Sequence, residues 1–225
     1  MDAGILTNAN LLLNHKKKSI RKEAHWLLSN IAAGTNEQVT QLFQRGNIKL
    51  IETVIQSATD AQWDIRKEAI WVLSNICTGG LTDHVQMLVQ LDVFVPLCSV
   101  LTLSDSKITM IAMDAIESIL KVGKQLGLES YSRFLDEADG IDKLEELQQH
   151  DSDQVYEKAL KIIDTYLSVA EEIEDENLVP QINGNQFVFG QTASTTLGKD
   201  IIGSSNENMN GGAPLHQFNF QFQAN

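Results

Sequence analysis

The sequence predicts an all-α protein, a right-handed solenoid of stacked helical repeats followed by a disordered C-terminal tail. Three observations predict it. First, the stretches Ile20-Arg-Lys-Glu-Ala-His-Trp-Leu-Leu-Ser-Asn-Ile31 and Ile65-Arg-Lys-Glu-Ala-Ile-Trp-Val-Leu-Ser-Asn-Ile76 repeat each other 45 residues apart. They differ only at His25/Ile70 and Leu27/Val72. Second, each stretch turned at 100° per residue gathers its apolar side chains on one side: Ile20, Ala24, Leu27, Leu28 and Ile31, then Ile65, Ala69, Val72, Leu73 and Ile76. Third, 225 residues hold only three prolines, so long helices run uninterrupted.

The elements follow in order. Asp2-Ala-Gly4 reads as the end of a preceding helix, and 5–14 as a short apolar helix. Lys16-Lys17-Lys18, a solvated turn, leads into a first long helix that stops at Gly34. Residues 36–45 form a short helix closed by Gly46 as C-terminal cap. A helix over 48–57 and a second long helix over 64–78, stopped by Gly79-Gly80, complete the cycle. The next cycle has short helices at 83–91 and 95–103 and a long one at 108–121. The last has 130–138, 141–149 and 153–170. Two shorter helices and one longer one at this period make an armadillo unit. The units are 1–34 (partial), 35–80, 81–127 and 128–170.

Beyond them the composition changes. Glu171, Glu172, Glu174, Asp175 and Glu176 form an acidic run. Residues 177–225 carry 14 Asn/Gln and six Gly with few aliphatic side chains, which predicts a disordered tail over 171–225. Its Asn185-Gln-Phe-Val-Phe-Gly190 and Phe218-Asn-Phe-Gln-Phe222 stretches are candidate linear motifs.

Composition narrows the function. The net charge of −13 is uneven: residues 1–80 hold nine Lys/Arg against seven Asp/Glu, and 81–225 hold eight against 23. Such a surface argues against nucleic acid and for a basic ligand. No apolar run reaches membrane-spanning length, and the N-terminus has no signal-peptide plan. Cys77 and Cys98 sit in apolar helical stretches, as reduced core thiols of a cytosolic or nuclear protein do. The five histidines are scattered without metal-ligand spacing, and no phosphate loop or nucleophile elbow appears, so neither a metal, a cofactor nor catalysis is expected.

Beside the apolar stripe, Glu23, Trp26 and Asn30 share a neighbouring strip at helical spacing, and Glu68, Trp71 and Asn75 repeat it. An indole and an amide beside a full apolar stripe, twice over, suggest a binding surface. Aligning Ala69 with Ala112 and Ala159 puts Asp114 and Lys161 at the Trp71 position, and Ser118 and Thr165 at the Asn75 position. The apolar stripe therefore continues while the ladder chemistry decays. Ser29, Ser74, Asp114 and Ser118 are possible extensions of the surface.

The paired Lys-Glu-Ala-x-Trp-x-x-Ser-Asn-Ile stretches resemble the armadillo repeats of importin-α (karyopherin-α), the adaptor that reads nuclear localisation signals. The resemblance covers residues 1–170, including Tyr156-Glu-Lys-Ala159. The acidic run, Val179-Pro-Gln181 and the Phe-rich end are similar to fungal-type members. It implies roughly the seventh to tenth repeats of a ten-repeat protein, without the earlier repeats or the N-terminal importin-β-binding segment. It also implies that Glu23, Trp26, Asn30, Glu68, Trp71 and Asn75 are the minor site for signal peptides. The partners implied are basic cargo, a CAS-type export receptor with Ran-GTP at the last repeats and acidic segment, and importin-β only in a full-length form. The implied localisation is shuttling between cytoplasm and nucleus. A truncated chain keeping mainly the recycling contacts is one alternative. A catenin-type scaffold is another, and it would be expected to line its groove with Lys and Arg instead.

Helix spacing gives the ligand its form. Stacked helices lie about 8–10 Å apart and an extended chain advances about 3.3 Å per residue. Successive Asn side chains therefore meet the peptide backbone at roughly every third residue. An Asn amide both donates and accepts, so it grips any extended main chain. Trp faces take the stems of Lys or Arg, and the Glu side chains pair with their cationic heads. Arg66 and Lys67, beside the second slot, should lean away from it.

Overall fold

The computed structural model describes residues 3–44, 46–168, 181–183 and 186–188. The chain divides into two units, Met1–Ala170 and Glu171–Asn225. In the first, α1 (Ala3–Leu13), α2 (Lys18–Ala32), α3 (Asn36–Phe43), α4 (Ile48–Asp60) and α5 (Trp63–Gly79) are followed by α6 (Thr82–Gln90), α7 (Phe94–Cys98) and α8 (Ser106–Leu126). Then come α9 (Ser130–Glu137), α10 (Gly140–Glu146) and α11 (Asp153–Ile162). In the second unit, β1 (Gln181–Asn183) pairs antiparallel with β2 (Gln186–Val188), Ile182 opposite Phe187. The rest of the expected disordered tail lies outside the described residues.

Local chemistry sets several boundaries. Thr35 and Gln38 form a reciprocal capping box at the start of α3: the Gln38 N–H donates to Thr35 Oγ1 at 3.4 Å, and the Thr35 N–H to Gln38 Oε1 at 2.9 Å. The Asp105 carboxylate accepts from the Ile108 N–H at the start of α8. Gly127 ends that helix at φ 67°, a left-handed cap that a residue without Cβ adopts freely. Asp139 takes a similar conformation, φ 55°, at the turn into α10.

Three expectations need correcting. Gly4 lies inside α1, which runs unbroken from Ala3, so it does not end an earlier helix. The helix expected over 95–103 stops as α7 at Cys98 and goes on as three-residue turns. Its carbonyls are captured from outside the α pattern: Ser99 Oγ donates to Pro96 O, Arg66 Nη2 to Ser99 O, and Thr109 Oγ1 to Val100 O. The last long helix, expected to 170, changes to a π-helical turn at Ile163–Leu167, with the Ser168 N–H reaching back to Ile163 O.

The core is one continuous apolar cluster. The three long helices lie side by side, α5 between α2 and α8, and α11 continues against α8. The shorter helices back them: α4 packs on α5, and α7 on α8. The stripe read from the sequence is what the long helices bury. Ala24, Leu28 and Ile31 of α2 are buried, as are Ile65, Ala69, Val72, Leu73 and Ile76 of α5, and Ile108, Ala112, Ile116 and Ile119 of α8. Each fully buried Leu, Ile or Val among them contributes about 1.5–3 kcal/mol.

Four buried groups carry measurable consequences. Cys77 and Cys98 are free thiols, and burial pushes both well above the ordinary thiol range, Cys98 to about 12. The folded protein should therefore leave both unreactive to a thiol reagent at neutral pH, and denaturant should expose two equivalents; rapid labelling of the native state would contradict this. His25 is wholly buried, its Nδ1 bonded to Arg21 O at 2.8 Å while Nε2 has no partner among the described residues. His84 stacks on Phe43 at 5.1 Å, accepts the Leu81 N–H at Nδ1, and meets Thr40 Oγ1 with Nε2. Burial holds both imidazoles below their ordinary value, outweighing the opposing hydrogen bond from His25 to the Arg21 carbonyl. The unfolded chain thus binds protons the folded one does not. Stability is full above about pH 6.5 and falls as pH drops below it. Melting temperature should decline from about pH 7.5 to about 5.5, and His25→Ile, which copies Ile70 of the second repeat, should flatten the decline. An unchanged slope in that variant would remove His25 from the account.

Candidate functional site

α2 and α5 turn the Glu/Trp/Asn strip toward the surface because their opposite faces are consumed by the core. On α2, Glu23, Trp26 and Asn30 are all exposed, Trp26 by 54%. An indole that open is not a core residue. Its flank opens onto an apolar depression of about 390 Å³ lined by Leu12, Ile20, Ala24 and Leu27 together with Glu23. On α5, Glu68, Trp71 and Asn75 are half-buried, and Trp71 rests against the edge of the core. The two sets lie on helices that touch along their length. Among the described residues neither Glu23 nor Glu68 is in an ion pair, so both carboxylates are open to a cation.

The two amides are held differently. Asn30 Nδ2 donates to Trp26 O in its own helix at 3.1 Å. Asn75 Nδ2 reaches across to Ser29 O of α2 at 3.0 Å, so it ties the helices together and fixes its own orientation. Each amide keeps its Oδ1 for an incoming N–H, and its second N–H for a carbonyl.

Ser29 and Ser74 are not part of the exposed strip. Both are buried, Ser29 Oγ donating to Trp26 O and Ser74 Oγ to Ile111 O of α8. A buried hydroxyl needs a partner, and each has found a backbone carbonyl. Ser118 is half-buried and likewise engaged, its Oγ donating to Cys77 O of α5 at 2.6 Å. Asp114 does lie at the surface, but it is bonded to Lys158 Nζ at 2.5 Å.

Sequence spacing missed the resident cations. Lys107 of α8 holds its ammonium 5.6 Å from the Trp71 ring centroid. Lys158 of α11 contacts Glu117 Oε2 as well as Asp114, and Lys161 contacts Glu117 Oε1 at 2.7 Å. Burial alone would raise Glu117, but its bonds to Lys158 and Lys161 outweigh that and hold it below the usual carboxylate range. Burial acts on Lys158 in the neutralising direction and is likewise outweighed by the two carboxylates, which raise it. Arg66 points away from the strip, its guanidinium donating to Ala58 O and to Ser99 O and Oγ. Lys67 lies 5.5 Å from the Trp63 ring centroid and 3.9 Å from Asp105. The Ala69–Ala159 alignment carried one legible signal, since it sets Lys158 where the first two repeats have Glu23 and Glu68.

Among the described residues no group of three or more His, Cys, Asp or Glu could hold a metal, and no helix is long and apolar enough to cross a membrane. The arrangement suits a binding surface: two Trp faces, two carboxylates and two amides along adjacent helices.

Comparison with known proteins returns the same armadillo-repeat fold. Residues 129–181 match the model of an atypical Arm repeat. Importin subunit alpha-4 of Arabidopsis thaliana is 42% identical over 198 residues, which cover 84% of this chain and 36% of that protein. Importin subunit alpha-1b of Oryza sativa subsp. japonica is 40% identical over 80% of this chain and 34% of its own. Importin subunit alpha of Saccharomyces cerevisiae is 37% identical over 50% of this chain and 22% of its own. The chain thus spans about a third or less of the length of these relatives. Among solved structures, a designed armadillo repeat protein in complex with the peptide (KR)4 superposes with a TM-score of 0.62 at 27% identity, covering 73% of this chain and 65% of that one. An engineered protein superposes at 0.61 with 23% identity over 72% of this chain and 37% of its own, which speaks for the fold. On the repeat chemistry and these relatives, most of the chain is similar to about a third of an importin subunit alpha.

Proposed function

We propose that this chain acts as an adaptor in nuclear import, binding extended Lys/Arg-rich localisation segments along α2 and α5 and shuttling between cytoplasm and nucleus. It does so by recognition alone and not as an enzyme. The observation that carries the reading is the doubled set Glu23/Trp26/Asn30 and Glu68/Trp71/Asn75 on touching helices, with neither carboxylate in an ion pair among the described residues. The designed relative named with (KR)4 supports the same ligand class. The helical units that deliver the two sets are read as 1–34 and 35–80, with 81–127 and 128–170 continuing the stack.

Binding proceeds from geometry. The peptide lies extended across the helices, its main chain meeting Asn30 and Asn75. A Lys or Arg stem lies along each indole, worth about 0.5–2 kcal/mol per slot. The cationic heads end at Glu23 and Glu68, which add charge-assisted contacts. Two slots make a weak site, micromolar or weaker, because each missing contact of about 1.4 kcal/mol costs tenfold in affinity.

Fluorescence anisotropy of labelled (KR)4 titrated with this chain tests the proposal. Saturable, salt-sensitive binding is expected, weakened about tenfold or more by Trp71→Ala. Asn75→Ala should weaken binding too and also lower stability by about 1 kcal/mol, since it removes the bond from Asn75 Nδ2 to Ser29 O. Absence of binding by folded protein, or full affinity in Trp71→Ala, would overturn the proposal.

A further inference from the structure

The ladder stops at α8 for a structural reason. Asp114 and Ser118 occupy the positions that Trp71 and Asn75 hold one unit earlier, and Glu117 lies one turn of α8 on from Asp114. Those residues could serve a peptide: two carboxylates for a cation and a hydroxyl for the main chain. All three are already engaged within the chain. Lys158 Nζ sits 2.5 Å from Asp114 Oδ1 and 2.5 Å from Glu117 Oε2, its side chain only 16% exposed. Lys161 takes the remaining Glu117 oxygen, and Ser118 Oγ is spent on Cys77 O. Lys107, on the same helix as Asp114, lies against the Trp71 ring. Thr78, Asp114, Glu117, Ser118, Lys121 and Lys161 border one open depression of about 590 Å³ between α5, α8 and α11. Space for a longer peptide therefore exists; its cation site is filled from inside.

We propose that Lys158 is a specificity-determining residue that ends the basic-peptide strip, occupying a third cation site in cis and so limiting the ligand to the two slots of α2 and α5. This rests on the basic-peptide reading above. A ligand cation arriving at Asp114 and Glu117 must displace an ammonium already bonded to both, and it gains little by the exchange. Without Lys158 the two carboxylates are left facing the open depression, and a buried or half-buried carboxylate without a partner takes a ligand cation readily. Lys161 remains on Glu117 at its more exposed position and holds only one of the four oxygens.

The test is length dependence. Labelled (KR)2 and (KR)4 are titrated against the unmodified chain, Lys158→Gln and Lys121→Gln, with thermal melts alongside. Lys121 is an exposed lysine on the same depression outside these ion pairs, so it reports the loss of one positive charge alone. The unmodified chain should bind (KR)4 no more than about threefold tighter than (KR)2. In Lys158→Gln the ratio should rise by about tenfold, the worth of one added charge-assisted contact. In Lys121→Gln it should stay as in the unmodified chain. Adding Asp114→Asn and Glu117→Gln to Lys158→Gln should return the ratio to its starting value, and this neutral triple variant also guards against misfolding of the single one. Binding of (KR)4 that is lost in Trp71→Ala, together with an unchanged ratio in Lys158→Gln, would overturn the role of Lys158 and leave the two-slot site standing. Equal rises in Lys158→Gln and Lys121→Gln would reduce the effect to net charge and overturn it as well. Failure of (KR)4 to bind the folded unmodified chain would overturn the underlying reading, and this proposal with it.

Discussion

The packing of α5 between α2 and α8 is the constraint from which the rest of the first unit follows. Ile65, Ala69, Ile70, Val72, Leu73, Ile76 and Cys77 are all buried, so α5 has only a narrow band of surface left. What fixes its rotation is a set of side chain to carbonyl bonds: Asn75 to Ser29 O on one side, Ser74 to Ile111 O on the other, and Ser118 of α8 back to Cys77 O. Each bond is worth only about 1 kcal/mol net. Their value lies in register, because a slip of one helix against the next would leave buried hydroxyls without partners. Glu68, Trp71 and Asn75 occupy the band that this packing leaves open.

The same packing explains why two neighbouring repeats have different accessibility. α2 is covered by α5 on one flank and presents Trp26 more than half exposed. α5 has a helix on each flank, so Trp71 is half-buried and meets Lys107 of α8. One set is thus a more open platform, the other a more confined one. Beyond α5 the electrostatics invert. Among the described residues Glu23 of α2 and Glu68 of α5 have no ion-pair partner, whereas Asp114 and Glu117 of α8 are neutralised by α11. In the proposed mode of binding, which carboxylates the fold has already satisfied matters more than their number.

Much of this was legible in the sequence. The apolar stripe, the helix order and the Glu/Trp/Asn spacing are properties of a single helix turning at a fixed angle, and a repeat at 45 residues displays them twice. Contacts between units were less legible. Ser29 and Ser74 share the strip's repeat pattern yet turn inward, because the direction of a small hydroxyl is decided by the nearest open carbonyl on a neighbouring helix. Lys158 acts on residues 41 and 44 positions earlier in the chain, a separation at which no helical periodicity speaks. The early end of α7 has the same origin: Arg66 and Thr109, both outside that helix, take the carbonyls that would have continued it.

The most direct measurement is a crystal structure of this chain with a bound Lys/Arg peptide. The account predicts an extended main chain hydrogen-bonded to Asn30 and Asn75, with cationic side chains along Trp26 and Trp71 ending at Glu23 and Glu68, and Lys158 still seated on Asp114 and Glu117. A peptide bound elsewhere on the surface, or one whose cations displace Lys158 while leaving the indoles bare, would contradict it.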